Sequence, residues 1–71
     1  MTNCIRVLRA IKGVSQQEVA RALKVRVQTI HFVETNKYVP SLLLGMRLAK
    51  YFGVPVDNVF TLDDEDLNIE E

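Results

Sequence analysis

Gln16–Thr35, QQEVARALKVRVQTIHFVET, is the stretch whose reading decides the fold. Its apolar residues fall at Val19, Ala20, Leu23, Val25, Ile30 and Val33. That is the spacing of two short helical faces, interrupted by a break of about four residues near Lys24. Two helices joined so tightly cross at a wide angle and must touch closely, which asks for a small residue where they meet; Ala20 stands there. Val19, Leu23, Val25, Ile30 and Val33 then form a shared apolar underside, leaving Gln16, Gln17, Val27, Gln28, His31 and Phe32 on outer faces. The second helix of the pair is presented to solvent, the pattern of a helix-turn-helix.

Towards the N-terminus, Ile5, Leu8 and Ile11, with Cys4 and Val7 alongside, predict a helix from about Asn3 to Lys12. Gly13 ends it, since glycine takes the left-handed conformation of a helix C-cap without steric cost. Ser15 opens the next helix, and Glu18 completes a capping box with it. The presented helix starts less conventionally. Its N-cap position is Arg26, which lacks a short acceptor side chain, and Lys24 fills the turn where glycine would be more comfortable. Each departure costs about 0.5 to 1 kcal/mol. Both bring positive charge to the mouth of the helix, which suits phosphate; drift tolerated by a good core is the competing explanation.

Towards the C-terminus, Thr35–Pro40 form a loop in which Asn36 is the natural left-handed residue. Ser41 caps a fourth helix. Its Leu43, Leu44, Met46, Leu48, Ala49, Tyr51 and Phe52 exceed what one face can hold, which predicts burial around much of its circumference. Gly53 closes it. Pro55 at a first-turn position, followed by Val56, Asp57, Asn58, Val59 and Phe60, predicts a short fifth helix.

The chain's 71 residues allow one domain and leave little room for a large catalytic cleft. No apolar run approaches the roughly 18 residues of a membrane span. The start, MTNCIRVLRAIKG, has neither a sustained apolar segment nor a small-residue cleavage site, so the cytoplasm is the expected location. Cys4 is the one cysteine, which excludes an internal disulfide and a zinc site built on cysteine pairs. With a single histidine besides, no metal or cofactor is expected.

The zero net charge conceals a division. Residues 1 to 60 hold all nine Lys and Arg against three acids, Glu18, Glu34 and Asp57, and so carry +6. Residues 61 to 71 hold Asp63, Asp64, Glu65, Asp66, Glu70 and Glu71 with no basic residue, and carry −6. A basic domain, 1–60, is followed by an acidic tail, 61–71. The tail reads either as a frayed, solvating terminus or as an internal mimic of phosphate that competes for the basic face of the domain.

Several short motifs occur in fixed order: IRVLRAIKGVSQQEVARAL from Ile5, the turn at Lys24 and Val25, QTI at Gln28–Ile30, Glu34, NKY at Asn36–Tyr38, PSL at Pro40–Leu42, LAKYFGV at Leu48–Val54 and VDNVF at Val56–Phe60. Together they resemble the phage repressor and Cro family of regulators, also called the Xre family, over residues 3 to 60. The resemblance implies an all-α, compact five-helix, lambda-repressor-like domain that binds double-stranded DNA as a homodimer on a two-fold symmetric operator. The third helix would enter the major groove, with two copies about 34 to 36 Å apart reading successive half-sites.

By the same resemblance Gln16 contacts phosphate; Val27, Gln28, His31 and Phe32 reach base edges; and Asn36, Lys37 and Tyr38 meet the DNA backbone. Arg9 and Glu34 match a pair that bridges the first and third helices and points the arginine towards phosphate. The family often has Ser-Arg or two polar residues where this chain has Arg26 and Val27, and a small or polar residue where it has His31 and Phe32. Gln28 is then the clearest base reader, because a carboxamide can bond adenine at N6 and N7 together. Val27 and Phe32 offer apolar contact to thymine methyls, favouring A·T-containing half-sites. An inward Phe32, packed on the first helix, is an equal alternative.

Val54, Val56, Val59, Phe60 and Leu62 supply more apolar surface than a monomer needs and are assigned to an isologous dimer contact. Whether Phe60–Leu62 pairs as a short strand is open at this level. No carboxylate pair, nucleophile with base or phosphate-cradling glycine loop is visible, so no enzyme is expected. Nor is there space after Phe60 for a small-molecule domain. The leading expectation is a transcriptional repressor. An antitoxin-like protein-interaction module of the same fold is the alternative, with the tail or VPVDNVFTL gripping a basic partner.

Overall fold

The computed structural model describes residues 1–68; Glu70 and Glu71 of the acidic tail lie outside the described residues. Strand β1 (Thr2–Asn3) leads into α1 (Ile5–Lys12), α2 (Gln16–Leu23), α3 (Val27–Glu34) and α4 (Leu42–Phe52). A 3-10 turn (Val56–Asn58), strand β2 (Phe60–Thr61) and a one-turn helix α5 (Asp64–Leu67) follow. The molecule is thus a mostly helical domain fastened by a two-stranded antiparallel sheet, with Thr2 opposite Thr61 and Asn3 opposite Phe60.

The helix limits follow local chemistry. Gly13 and Gly53 close α1 and α4 in the left-handed conformation, as their positions predict. The Ser15–Glu18 capping box is complete: Glu18 N–H donates to Ser15 Oγ at 3.0 Å and Ser15 N–H to Glu18 Oε1 at 3.2 Å. Ser41 Oγ accepts from Leu44 N–H at 3.1 Å, and Arg26 makes no side-chain cap bond.

Ile5, Val19, Ala20, Leu23, Ile30, Val33, Leu44, Leu48, Ala49 and Val59 form the core. Leu8, Val14, Val25, Tyr51, Phe52, Val54 and Phe60 pack against it. Gly45 faces the Phe60 ring where α4 meets the sheet, and a Cβ added there would stand in ordinary van der Waals contact with it at 3.5 Å. Burying ten apolar side chains, at about 25 cal/mol per Å² of surface removed from water, is the main stabilising term in a domain this small.

Four expectations are corrected. The first helix begins at Ile5, not Asn3, because Thr2–Asn3 are extended to pair with β2. Ile11, placed on the core face by its spacing, is 78% exposed, because Lys12, seven residues from the buried Ile5, continues the inward stripe and lies over the Tyr51 ring of α4. The fourth helix is not buried around its circumference: Leu42, Leu43 and Met46 face outward while Leu44, Gly45, Leu48 and Ala49 face inward. The segment after Pro55 makes a single 3-10 turn instead of a fifth α-helix, because Val59 must drop into the core and Phe60 must straighten to join the sheet.

Val59 also leaves the set assigned to a dimer contact. At 1% exposure it is a core residue, and Cys4 N–H donates to its carbonyl at 3.0 Å. Val54 and Phe60 are half-buried against the core, while Val56 and Leu62 remain exposed. The first residues of the tail are folded, not frayed. Asp63 caps α5 with Asp66 in a second capping box, and the Met1 ammonium lies 3.0 Å from Asp63 Oδ2 and 2.6 Å from Asp66 Oδ2. Among the described residues no helix is long and apolar enough to cross a membrane.

Candidate nucleic-acid interface

The helix-turn-helix is built as the Gln16–Thr35 pattern requires. α2 and α3 pack more extensively than any other pair of elements, with Ala20 buried where they meet. Between them Lys24 takes the left-handed conformation at φ 57°. Val25 N–H donates to Ala20 O at 3.0 Å, closing the turn. Arg47 of α4 donates from Nη2 to Leu23 O at 2.6 Å, so a cation satisfies a carbonyl at the negative end of α2.

On α3, Ile30 and Val33 are buried, which turns the opposite side to solvent. Val27, Gln28, His31 and Phe32 all lie exposed, Val27 and His31 one turn apart and Gln28 and Phe32 one turn apart. Phe32 is therefore outward, at 41% exposure, with its ring 6.0 Å from that of His31. Arg26 stands exposed at the start of the helix. At its end, Asn36 is left-handed at φ 61°, as its place in the loop predicts. Asn36 N–H donates to Val33 O at 3.1 Å and Lys37 N–H to Phe32 O at 2.8 Å, a Schellman close that leaves Lys37 and Tyr38 exposed.

Beside this face lies an open polar cleft of about 420 Å³, lined by Asn3, Arg6, Arg9, Gln16, His31, Glu34 and Thr35. It brings together Arg9, Gln16, His31 and Glu34, residues separated in sequence. Gln16, half-buried at the start of α2, has Nε2 3.4 Å from His31 Nδ1. Arg9 and Glu34 form a bidentate pair, and Arg9 Nη1 also donates to Val14 O at 3.3 Å. Arg9 therefore lines the cleft as a committed structural cation. Burial alone would raise the Glu34 pKa, but the Arg9 hydrogen bonds and charge overcome this and hold it below the usual carboxylate value. The bond to Glu34 raises the Arg9 pKa in turn.

Arg6 and Asn3 are lining residues that pattern reading passed over. Arg6 is exposed at the cleft and adds a second cation beside Arg9. Its signal was the three-residue spacing to Arg9 along one helix face. Asn3 had no such signal, because its contacts depend on the strand pairing. Arg26, Val27, Gln28 and Phe32 lie outside this cleft, exposed at the start and on the outer face of α3.

An exposed helix held by its underside on a tight turn, flanked by Arg6, Arg26 and Lys37, defines a helix-turn-helix module. A helix-turn-helix family model matches residues 5–59, and the chain belongs to that Xre-type family. It is similar to an HTH-type transcriptional regulator of Archaeoglobus fulgidus, 42% identical over 67 residues that cover 94% of this chain and 96% of that one. It is also similar to the HTH-type transcriptional regulator MJ0272 of Methanocaldococcus jannaschii, 38% identical over 66 residues, 93% of this chain and all of that one. The regulator YgzD of Bacillus subtilis is 38% identical over 65 residues, covering 92% and 98%. The family is a non-enzymatic class of regulators.

Proposed function

We propose that this chain is a sequence-specific double-stranded DNA-binding repressor that occupies a two-fold symmetric operator as a homodimer, with α3 in the major groove. The observation that carries this reading is the face of α3, where Gln28 and Phe32 on one line and Val27 and His31 on the next are exposed. An exposed helix can enter a groove wide enough for it, and a carboxamide there can read adenine. Arg6, Arg26 and Lys37 supply cations around the helix for phosphate.

The dimer is supported by apolar surface that the monomer leaves open. Val39, Leu42, Met46, Val56 and Leu62 are exposed, and Val39, Pro40, Leu42, Val56 and Phe60 surround a shallow apolar hollow of about 170 Å³. Exposed apolar groups gathered in one place mark an interaction surface, and self-complementary pairing is the commonest way such a surface is covered. Selecting duplexes from a random pool while measuring the mass of the protein in solution tests both parts. A symmetric consensus bound by a dimer is expected; no enrichment, or a monomer carrying an unrelated protein partner, would favour the antitoxin-like alternative.

A further inference from the structure

Asn3 is the point where the terminal sheet touches the reading unit. Its Oδ1 accepts from Ile5 N–H at 3.1 Å, which starts α1. Its Nδ2 lies 3.0 Å from Val33 O, 3.3 Å from Glu34 O and 3.0 Å from Asn36 Oδ1. The first two acceptors belong to the last turn of α3, whose carbonyls have no partner within the helix. The third is the side chain of the left-handed residue that turns the chain into Lys37 and Tyr38. Two amide hydrogens thus serve three converging acceptors, so every one is engaged or shared.

The donor is itself held in place. Asn3 pairs with Phe60, and the next residue donates through its backbone to Val59, which is fully in the core. A strand two residues long therefore carries one side chain that ties the end of α3 and the loop after it to the hydrophobic centre. We propose that Asn3 is a positioning residue for DNA binding: it aims the Asn36–Tyr38 loop, and with it the backbone contact that follows the reading helix. This rests on the reading of that loop as a phosphate contact. Asn3 touches no nucleic acid itself, because its amide is spent within the protein.

Asn3→Asp separates the two roles of the side chain. The carboxylate still accepts from Ile5 N–H, but it turns an oxygen, not a donor, towards three acceptors. Specific and random duplexes are expected to lose affinity together by about tenfold, the size of one lost charge-assisted hydrogen bond. The dependence of log affinity on log salt is expected to become shallower by about one phosphate contact. Amide exchange at Lys37, measured without DNA, is expected to speed up. Asn3→Ser, neutral and too short to span to α3, serves where the aspartate variant does not fold, with the same expected results.

Lys37→Ala checks the underlying reading separately. If Lys37→Ala weakens DNA binding while the Asn3 variants keep wild-type affinity and salt slope, the loop contacts DNA but Asn3 does not aim it, and the proposal falls. If the Asn3 variants lose affinity with an unchanged salt slope and unchanged exchange at Lys37, their effect is general destabilisation and the proposal also falls. If Lys37→Ala binds like the wild type, the loop is no phosphate contact, and both readings fail together.

Discussion

Arg9 of α1 and Glu34 of α3 close a two-point pair across the cleft, Nε to Oε2 at 2.9 Å and Nη2 to Oε1 at 2.7 Å. Their side chains are 18% and 7% exposed, so the pair is shielded enough to hold the first helix onto the end of α3. Removing either partner strands the other, which costs about 2 kcal/mol. The double replacement is expected to cost less than the sum of the two, with a coupling of about 1 kcal/mol or more in denaturant unfolding. Strict additivity would show that the contact contributes nothing.

Acid should loosen the same contact. Glu34 has a folded pKa below its ordinary value of 4.5, so its stabilisation is fully present above that value and is lost as pH falls through the lower folded pKa. Unfolding free energy is expected to decline as pH drops below about 4.5, and Glu34→Gln is expected to flatten that part of the curve. Parallel curves for the two proteins would assign the acid sensitivity to other carboxylates.

Gln28→Ala is expected to reduce affinity for the selected operator by roughly 1 to 3 kcal/mol while leaving random duplex nearly unaffected, since it removes a base contact and no charge. Competition titrations against random DNA measure the ratio. An equal loss on both duplexes would make Gln28 a general surface residue.

Lys24→Gly tests whether the turn gives up stability for charge. A side chain held at φ 57° is strained by about 1 kcal/mol relative to glycine, so the variant is expected to unfold at higher denaturant. If Lys24 also serves phosphate, its DNA affinity falls at the same time and the salt slope shrinks. A stabilised variant with unchanged affinity would leave Lys24 as tolerated drift.

Leu42→Glu and Val59→Ala should part company. Leu42 is 77% exposed beside the apolar hollow, so a charge there is expected to leave the fold intact and shift the protein to monomer in sedimentation. Val59 is in the core, and its truncation is expected to cost about 2 kcal/mol through the cavity it leaves. A dimer that survives Leu42→Glu would place the subunit contact elsewhere.

Local signals settled much of this protein before any coordinates. The 3-and-4 spacing from Val19 to Val33, the Ser15–Glu18 box, Gly13, Gly53 and the left-handed Asn36 each depend on neighbours within a few residues, and each stands where the chain places it. The outward face of α3 follows from the same spacing, because burying Ile30 and Val33 leaves Gln28 and His31 no other direction. Pattern alone could not say which apolar residues find partners. Ile11, Leu43 and Met46 sit at helical positions that read as core, yet the other helices do not cover them. Val56 and Val59 are the same residue type, and only the drop of the chain after the 3-10 turn puts one at the surface and the other in the core. Asn3 is the sharpest case. The acceptors of its Nδ2 lie 30 to 33 residues away, and nothing near it in sequence signals a contact that exists only once β1 pairs with β2. Hydrogen bonds between distant segments depend on the relative placement of whole elements, which helical periodicity does not encode; that placement, not residue type, turned Asn3 into the tie between the sheet and α3.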